Sequence, residues 1–181
     1  MIEDTLLILR FKYGSSDALC RIYEKYRDYL LRLAAGLIHD INLAEDVVQD
    51  VFLGFAQSGD KIKLRGSLKG YLRKCVVNSA YNKTRAIRVR SYVKIDEIDP
   101  VAEESNKPDH WIMCSEESQR IRSALAQIPT EQREVVVLHL LGEMKFREIA
   151  RLQTVSLKTA QSRYRYGLEK LRLQLNGELK K

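Results

Sequence analysis

The sequence predicts an all-α protein made of two small helical domains that are joined by a flexible acidic linker. Three observations support this fold class. Apolar residues recur at three- and four-residue spacings along almost the whole chain, as on one face of an amphipathic helix. Alternating strand patterns are scarce, and the 181 residues include only 9 glycines and 3 prolines. A polar, acidic stretch between two basic regions divides the chain into residues 1–90, 91–116 and 117–181.

The charge changes sign twice along the chain. Residues 1–90 contain 16 Lys and Arg against 10 Asp and Glu, a net charge of +6. Residues 91–118 contain 2 against 8, a net charge of −6, and residues 119–181 contain 13 against 6, a net charge of +7. Within the acidic part, residues 96–110 contain two prolines and show no hydrophobic period, as linkers do. The overall charge of +7 favours a polyanionic partner, either nucleic acid or a membrane surface.

The chain shows no sign of export or membrane insertion. No stretch reaches the roughly 18 consecutive apolar residues that span a bilayer, and the N-terminal MIEDTLLILRF has acids where a signal peptide is basic. Cys20, Cys75 and Cys114 are odd in number and widely spaced, and the first two lie among apolar helical positions. We therefore expect a cytoplasmic protein whose Cys20 and Cys75 are small core residues in a reducing compartment.

The first basic region is predicted to contain four helices. Their expected ranges are residues 2–13, 16–37 (from Ser15 or Ser16), 42–55 and 67–88. The second helix is expected to bury a regularly spaced set of side chains. This set is Leu19, Ile22, Tyr23, Tyr26, Leu30 and Leu33.

The third predicted helix, which contains AEDVVQDVF, has an acidic face although the surrounding region is basic. An apolar stripe of Val47, Val48, Val51, Phe52 and Phe55 indicates its core side. The opposite side carries what we name the acidic ridge, formed by Glu45, Asp46, Gln49 and Asp50. A charge run of this kind is usually a solvated face, and the periodicity alone does not assign it a partner.

The fourth predicted helix, SLKGYLRKCVVNSAYNKTRAIR, lies in a segment with eleven basic residues and no acid from Lys61 to Ile95. Lys74, Asn78, Tyr81 and Arg85 share its outer face, with Asn82 beside them. Cations that hold a backbone, an aromatic that stacks and amides that read base edges suit single-stranded DNA. The alternative is a solvated basic face on which Tyr81 covers the edge of the core.

The C-terminal region is predicted to form a helix-turn-helix. Thr130 is expected to cap a helix that ends at Gly142, FREIARL forms a short second helix, and Ser156 caps the third. The expected inward side chains are Val137, Leu138, Leu141, Phe146, Ile149, Ala150, Leu152, Ala160, Tyr164, Leu168 and Leu171. The outer face of the third helix offers groups that suit base edges and phosphates. These are Lys158, Thr159, Gln161, Ser162, Arg165 and Tyr166, with Arg163 at the flank. A three-helix bundle with an ordinary polar face is the alternative.

Four segments follow one another along the chain: the acidic helix, GSLKGYLRKCVVNSAYNKTRAIR, a tether and IPTEQREVVVLHLLGEMKFREIARLQTVSLKTAQSRYRYGLEKLR. In this order they resemble a bacterial RNA polymerase sigma factor of the extracytoplasmic-function class, in the sigma-70 family. Such factors consist of sigma regions 2 and 4. The resemblance covers roughly residues 9–90 and 117–176. It implies a transcription initiation factor, not an enzyme and without a cofactor, whose partners are core RNA polymerase, promoter DNA and an anti-sigma factor.

The resemblance also implies roles for individual residues. Residues 1–90 would be region 2, residues 117–181 region 4, and the linker 91–116 would lie in the RNA exit path of the polymerase. The residues implied to bind polymerase are Asp46, Gln49, Asp50 and Phe52. Those implied to bind the minus-ten element are Arg65, Lys74, Asn78, Tyr81, Asn82 and Arg85. Those implied to bind the minus-thirty-five element are Lys158, Thr159, Gln161, Ser162, Arg163, Arg165 and Tyr166.

Several positions depart from the family pattern. Gly54 and Phe55 stand where Trp is usual, and Thr154 occupies the turn position where Gly is usual. Lys145 replaces a Ser cap, and Gln161 stands where a basic residue is common. These departures bear on the promoter sequence more than on the role of the protein.

Two other classes of function are alternatives to an initiation factor. A conventional helix-turn-helix regulator that binds an operator as a dimer would account for the C-terminal half but not for the acidic ridge. An enzyme would need a constellation that the scattered His39, His110 and His139 do not supply. His110 and Cys114 have the spacing of two metal ligands, but no further ligands are visible, so we predict no metal site.

Overall fold

The computed structural model describes residues 2–38, 40–59, 62, 64, 66–93 and 116–178, and these residues form eight α-helices without a strand. The all-α fold class is therefore confirmed. The helices are α1 (Ile2–Lys12), α2 (Ser16–Ile38), α3 (Ile41–Ser58), α4 (Leu68–Val93), α5 (Glu116–Ala126), α6 (Thr130–Leu140), α7 (Phe146–Leu152) and α8 (Leu157–Glu178). Of the linker predicted over residues 91–116, residues 94–115 lie outside the described residues, whereas residues 91–93 belong to α4 and Glu116 begins α5.

The chain divides into two compact units. The first contains the described residues up to Lys83 together with the short segment Leu140–Glu143, and the second contains those from Thr84 to His139 and from Met144 onwards. Each unit has its own buried apolar side chains, as expected of small helical domains that each fold around one core.

The first unit is built on the packing of α2 against α1 and α3. Its largest fully buried side chains come from α2, α3 and α4: Ile22, Leu30, Leu33, Val47, Phe55, Leu68, Leu72 and Val76. The rings of Phe11 and Phe55 stack with centroids 4.9 Å apart, which joins α1 to α3. The four predicted helices of this unit are thus confirmed, and the α3 core side follows the predicted apolar stripe.

Two of the helix connections have clear chemical causes. Gly14 has φ +87°, a left-handed conformation that glycine adopts without a Cβ penalty, and it separates α1 from α2. Asp40 caps α3, because its carboxylate accepts a hydrogen bond from the Leu43 backbone N–H at 3.1 Å. The Asp40 cap gives α3, the helix that carries the acidic ridge, a defined start.

The second unit contains α5, which the sequence analysis missed. The helix packs against α8 and buries Ala124 and Leu125. The apolar positions 121, 124 and 125 of α5 have helical spacing. Residues 117–126 were predicted as part of the C-terminal domain, but so few apolar positions, of which Ile121 remains 41% exposed, did not indicate a helix.

Several single-residue expectations need correction. Cys20 is exposed and Cys75 is half-buried, so neither is a fully buried core cysteine, and Cys114 lies outside the described residues. Leu141 is 38% exposed because α6 already ends at Leu140. Thr130 was expected to cap α6 but is its first helical residue. Pro129 precedes the helix instead, and its carbonyl oxygen accepts the Arg133 N–H at 3.0 Å.

Candidate functional site

The acidic ridge presents three of its side chains to solvent. Asp46, Gln49 and Asp50 are exposed on α3, and Glu45 is half-buried. Spacings of three and four residues place Asp46, Gln49 and Asp50 on one helix face. The helix contains no Lys or Arg, so no base on α3 itself neutralises this face.

Phe52 differs from the other three residues assigned to polymerase binding. It is only 6% exposed, and its ring packs edge-on against Tyr23 with centroids 4.8 Å apart. The reason is the same periodicity that placed it on the apolar stripe of α3. Its assignment as a surface contact is therefore corrected: Phe52 anchors the ridge helix from inside the unit.

The sequence analysis missed Leu53 as a member of this face. Leu53 is 59% exposed and follows Gln49 and Asp50 by four and three residues, so it continues the same surface. A large apolar side chain beside two carboxylates suits a protein partner better than a nucleic acid. The sequence could have indicated this exposure, because Leu53 lies on the side of the helix opposite the apolar stripe.

Lys83 of α4 forms ion pairs with two acids of the ridge. Its Nζ lies 3.1 Å from Oδ2 of Asp50 and 3.8 Å from Oδ2 of Asp46. The sequence shows Lys83 only as one of eleven cations in an acid-free segment. Pairing with α3 depends on helix packing, which no local pattern encodes.

The outer face of α4 agrees with the pattern that the sequence predicted. Lys74, Asn78, Asn82 and Arg85 are exposed, and Tyr81 is half-buried. The opposite side of the helix buries Leu68, Leu72, Val76, Val77 and Ala80. Two cations and two amides therefore share an exposed surface with the edge of a tyrosine ring, whereas Arg65 lies outside the described residues.

The helix-turn-helix is formed by α7, a turn and α8. Ser156 caps α8 as predicted, since its Oγ accepts the Thr159 N–H at 3.0 Å. Thr154 in the turn has φ +54°, the left-handed conformation that the usual Gly would adopt without strain. At the start of α7, Lys145 provides no side-chain cap, and its backbone N–H donates to Glu148 Oε2 at 2.9 Å instead.

All seven side chains predicted on the outer side of α8 lie open to solvent at least in part. Lys158, Thr159, Gln161, Arg165 and Tyr166 are exposed, and Ser162 and Arg163 are half-buried. Arg165 donates to the hydroxyl of Tyr166 at 3.2 Å and lies 5.0 Å from the centroid of its ring. The helix thus offers a mixed surface of donors, acceptors and an aromatic ring.

Arg163 is held by the protein itself. Its guanidinium donates to Gln153 Oε1 at 2.8 Å, and Gln153 Nε2 donates to Glu134 Oε2 at 2.9 Å. This chain of bonds connects α8 to the turn and to α6. Arg163 therefore joins α8 to the turn through Gln153, which its place at the flank of the predicted surface did not reveal.

An aromatic cluster supports the base of the helix-turn-helix. The His139 ring stacks on Phe146 at 4.2 Å and meets Tyr164 edge-on at 4.8 Å, so one contact set joins α6, α7 and α8. His139 Nδ1 lies 2.8 Å from the carbonyl oxygen of Met144. A structural role explains this histidine.

The part of the chain that the structure describes contains no cluster of three or more His, Cys, Asp or Glu placed to hold a metal ion, and His110 and Cys114 lie outside it. Among the described helices, none combines the length and apolar character needed to cross a bilayer.

Comparison with known families divides the chain in the same order. The family Sigma-70 region 2 matches residues 22–90, which include α3 and the exposed face of α4. The family Sigma-70, region 4 matches residues 118–171, which include the helix-turn-helix.

Two relatives are similar to this chain over nearly the whole length of both proteins. The RNA polymerase sigma factor CarQ of Myxococcus xanthus is 30% identical over 173 residues, covering 94% of this chain and 95% of CarQ. The ECF RNA polymerase sigma factor SigW of Bacillus subtilis (strain 168) is 22% identical over 176 residues, covering 93% of this chain and 94% of SigW.

Two solved structures share the fold. CnrH in complex with the cytosolic domain of CnrY has a TM-score of 0.58 and 21% identity, covering 97% of this chain and 98% of that one. RpoE in complex with the anti-sigma factor NepR from Bartonella quintana has a TM-score of 0.57 and 23% identity, covering 86% of this chain and 97% of that one.

Proposed function

The chain belongs to the sigma-70 family, in its extracytoplasmic-function class, and on this premise we propose how three of its surfaces divide the work of transcription initiation. The protein is an initiation factor that directs RNA polymerase to promoters. A conventional dimeric regulator is not favoured, because it would give no role to the residues that match region 2. The acidic ridge is the observation that carries the division, since a protein that bound only DNA would gain nothing from it.

The acidic ridge with Leu53 is the surface proposed to dock on core polymerase. Asp46 and Asp50 supply negative charge for a basic protein surface, Gln49 supplies an amide, and Leu53 supplies apolar area. The same carboxylates would repel a DNA backbone. Phe52 contributes indirectly, by fixing α3 against α2.

The exposed face of α4 is proposed to hold the opened minus-ten strand. Lys74 and Arg85 would bind phosphates, Asn78 and Asn82 would bind base edges, and the half-buried Tyr81 would offer its ring for stacking. Arg65 keeps its proposed role on the same strand from the sequence pattern alone. A flipped base in such a site costs a few kcal/mol of unstacking, which the pocket contacts offset.

The exposed side of α8 is proposed to read the minus-thirty-five element in the major groove of duplex DNA. Its base-reading candidates are Lys158, Thr159, Gln161, Ser162, Arg165 and Tyr166. Arg163 would act through the orientation of α8, because its guanidinium is bonded to Gln153. Weak contacts by each unit would add up once both are tethered to one polymerase.

We further propose an anti-sigma factor as a regulator and the cytoplasm as the place of action. CnrH and RpoE, which share this fold, are seen with protein partners, and the chain exposes a docking ridge that such a partner could cover. Competition between the purified inhibitor and core polymerase for this chain is the expected behaviour. Simultaneous binding of both would argue against a shared surface.

Charge reversal of the ridge tests the docking proposal. The double variant Asp46→Arg with Asp50→Arg places cations on the docking face and should weaken binding to core polymerase at least 100-fold, since like charges facing each other cost several kcal/mol. Binding is measured by fluorescence anisotropy of labelled protein titrated with core enzyme. Helicity by circular dichroism should be unchanged, because both side chains are exposed.

A matched control separates the surface from the net charge. Asp17→Arg with Asp28→Arg changes the charge by the same amount on exposed positions of α2 and should bind core enzyme much like the natural protein. Equal loss in both double variants, or full binding by the ridge variant, would refute the assignment of α3 as the docking helix.

A further inference from the structure

Lys83 occupies a place in α4 where an apolar side chain would be expected. The buried stripe of this helix runs through Leu72, Val76 and Ala80, and Lys83 continues it by three residues. Its side chain is only 29% exposed, whereas those of Asp46 and Asp50 are 58% and 61% exposed. The lysine is thus turned toward the ridge and away from the DNA-facing side of its own helix.

The ion pairs place one internal cation on the docking carboxylates. Nζ of Lys83 lies 3.1 Å from Asp50 Oδ2 and 3.8 Å from Asp46 Oδ2, so it bridges both acids across the contact between α3 and α4. Because both carboxylates remain more than half exposed, a basic protein surface can still reach them. Any cation that does so meets the positive charge of Lys83 as well as the negative charge of the acids.

We propose that Lys83 is an internal competitor for the docking carboxylates and lowers the affinity of the chain for core polymerase. The inference rests on the proposed docking role of α3 and adds to it a residue from the neighbouring helix. Each partner cation that binds Asp46 or Asp50 must displace Lys83 or share the oxygens with it. The lysine therefore weakens the complex while it neutralises the ridge of the free protein.

The test variant removes the positive charge of residue 83 and keeps an extended polar side chain. Lys83→Gln should tighten binding to core polymerase roughly 1.5- to 5-fold at low ionic strength, the range that exposed ion pairs supply. The gain should shrink as salt is added, because salt screens exposed charges. Lys83→Arg, which keeps the cation, should bind as the natural protein does.

Lys12→Gln is the charge-matched control. It removes one exposed cation from the last turn of α1, outside every proposed binding surface, and no ion pair joins it to a ridge acid in the part of the chain that the structure describes. Its effect on core binding in the absence of DNA should be smaller than that of Lys83→Gln. An equal effect would mean that only the net charge matters and would overturn the proposal.

The outcomes also separate this inference from the docking proposal. If the natural protein binds core polymerase, and Asp46→Arg with Asp50→Arg abolishes binding, the docking role stands regardless of Lys83. Unchanged binding by Lys83→Gln would then refute competition. Weaker binding would also refute it and would identify Lys83 as a residue that supports the ridge. If the charge reversal has no effect, the docking role itself fails.

Discussion

At the scale of single residues, Thr154 carries backbone strain in the turn of the helix-turn-helix. Its φ of +54° is unusual for a β-branched residue, and such conformations cost about 1–3 kcal/mol. Thr154→Gly removes the strain, while the greater freedom of unfolded Gly offsets part of the gain. We expect the free energy of unfolding to rise by about 1 kcal/mol, measured by urea denaturation.

The same substitution elsewhere should have the opposite sign. Thr159 lies within α8 at helical φ and ψ, and Gly has a lower helix propensity than Thr, so Thr159→Gly should destabilise the protein by a few tenths of a kcal/mol. The pair of variants distinguishes relief of strain from a general effect of glycine. Destabilisation by both would contradict the proposed strain at Thr154.

Asp4 makes stability depend on pH in the first unit. Burial alone would raise the pKa of Asp4, but hydrogen bonds from Lys25 Nζ and Tyr26 Oη, each 2.8 Å, lower it below its usual 3.8. Because the folded-state pKa is depressed, this carboxylate stabilises the fold above pH 3.8 and loses the contribution as pH falls through the lowered pKa. Asp4→Asn should therefore flatten the acid side of the stability profile.

Tyr26 gives the matching alkaline effect. Burial, followed by its hydrogen bond to Asp4, raises the pKa of Tyr26 to about 12 from 10.0. A raised folded-state pKa stabilises the fold below pH 10 and loses that contribution between pH 10 and about 12. Tyr26→Phe should reduce the alkaline dependence, measured by urea midpoints across pH. An unchanged profile in both variants would contradict the role of this cluster.

At the scale of elements, Gly167 permits the close crossing of α8 and α6. A Cβ at this position would lie 2.8 Å from Val136 Cγ2 and 3.1 Å from the carbonyl oxygen of Gln132. Gly167→Ala should therefore destabilise the protein by about 1–3 kcal/mol through overpacking, despite the better helix propensity of Ala. Thermal unfolding followed by circular dichroism is the measurement.

Gly177 supplies the control in the same helix. No atom lies within 4 Å of a Cβ built there, so Gly177→Ala should stabilise the protein by up to about 1 kcal/mol. Opposite signs for the two variants would locate the effect in the helix crossing. A stabilising Gly167→Ala would show that α8 can shift away from α6 at little cost.

The elements also show which patterns a sequence can and cannot encode. The period of three and four residues identified α3 and the exposed face of α4, because burial of one helix side leaves a direct trace in residue types. The same spacing was present in α5, but among its described side chains this short helix buries only Ala124 and Leu125, which is too few for the period to indicate a helix.

At the scale of the whole molecule, the charge distribution is consistent with the proposed division of roles. Two basic regions of +6 and +7 flank a stretch of −6, and the proposed docking face of α3 is acidic within the first basic region. Negative charge on the face proposed to bind protein and positive charge on the faces proposed to bind DNA would direct each surface to its own partner. The overall +7 alone would not separate these surfaces.

The sequence by itself determined the helical fold class, the order of the two sigma regions, the acidic ridge and the exposed faces of α4 and α8. Each of these depends on spacing within one segment, which residue types record directly. Only the tertiary structure decided that Lys83 forms an ion pair with Asp50, that Arg163 is held by Gln153 and that Gly167 lies at a helix crossing. These facts depend on which helices meet and at what distance, and that outcome follows from packing of the whole unit, which no single segment specifies.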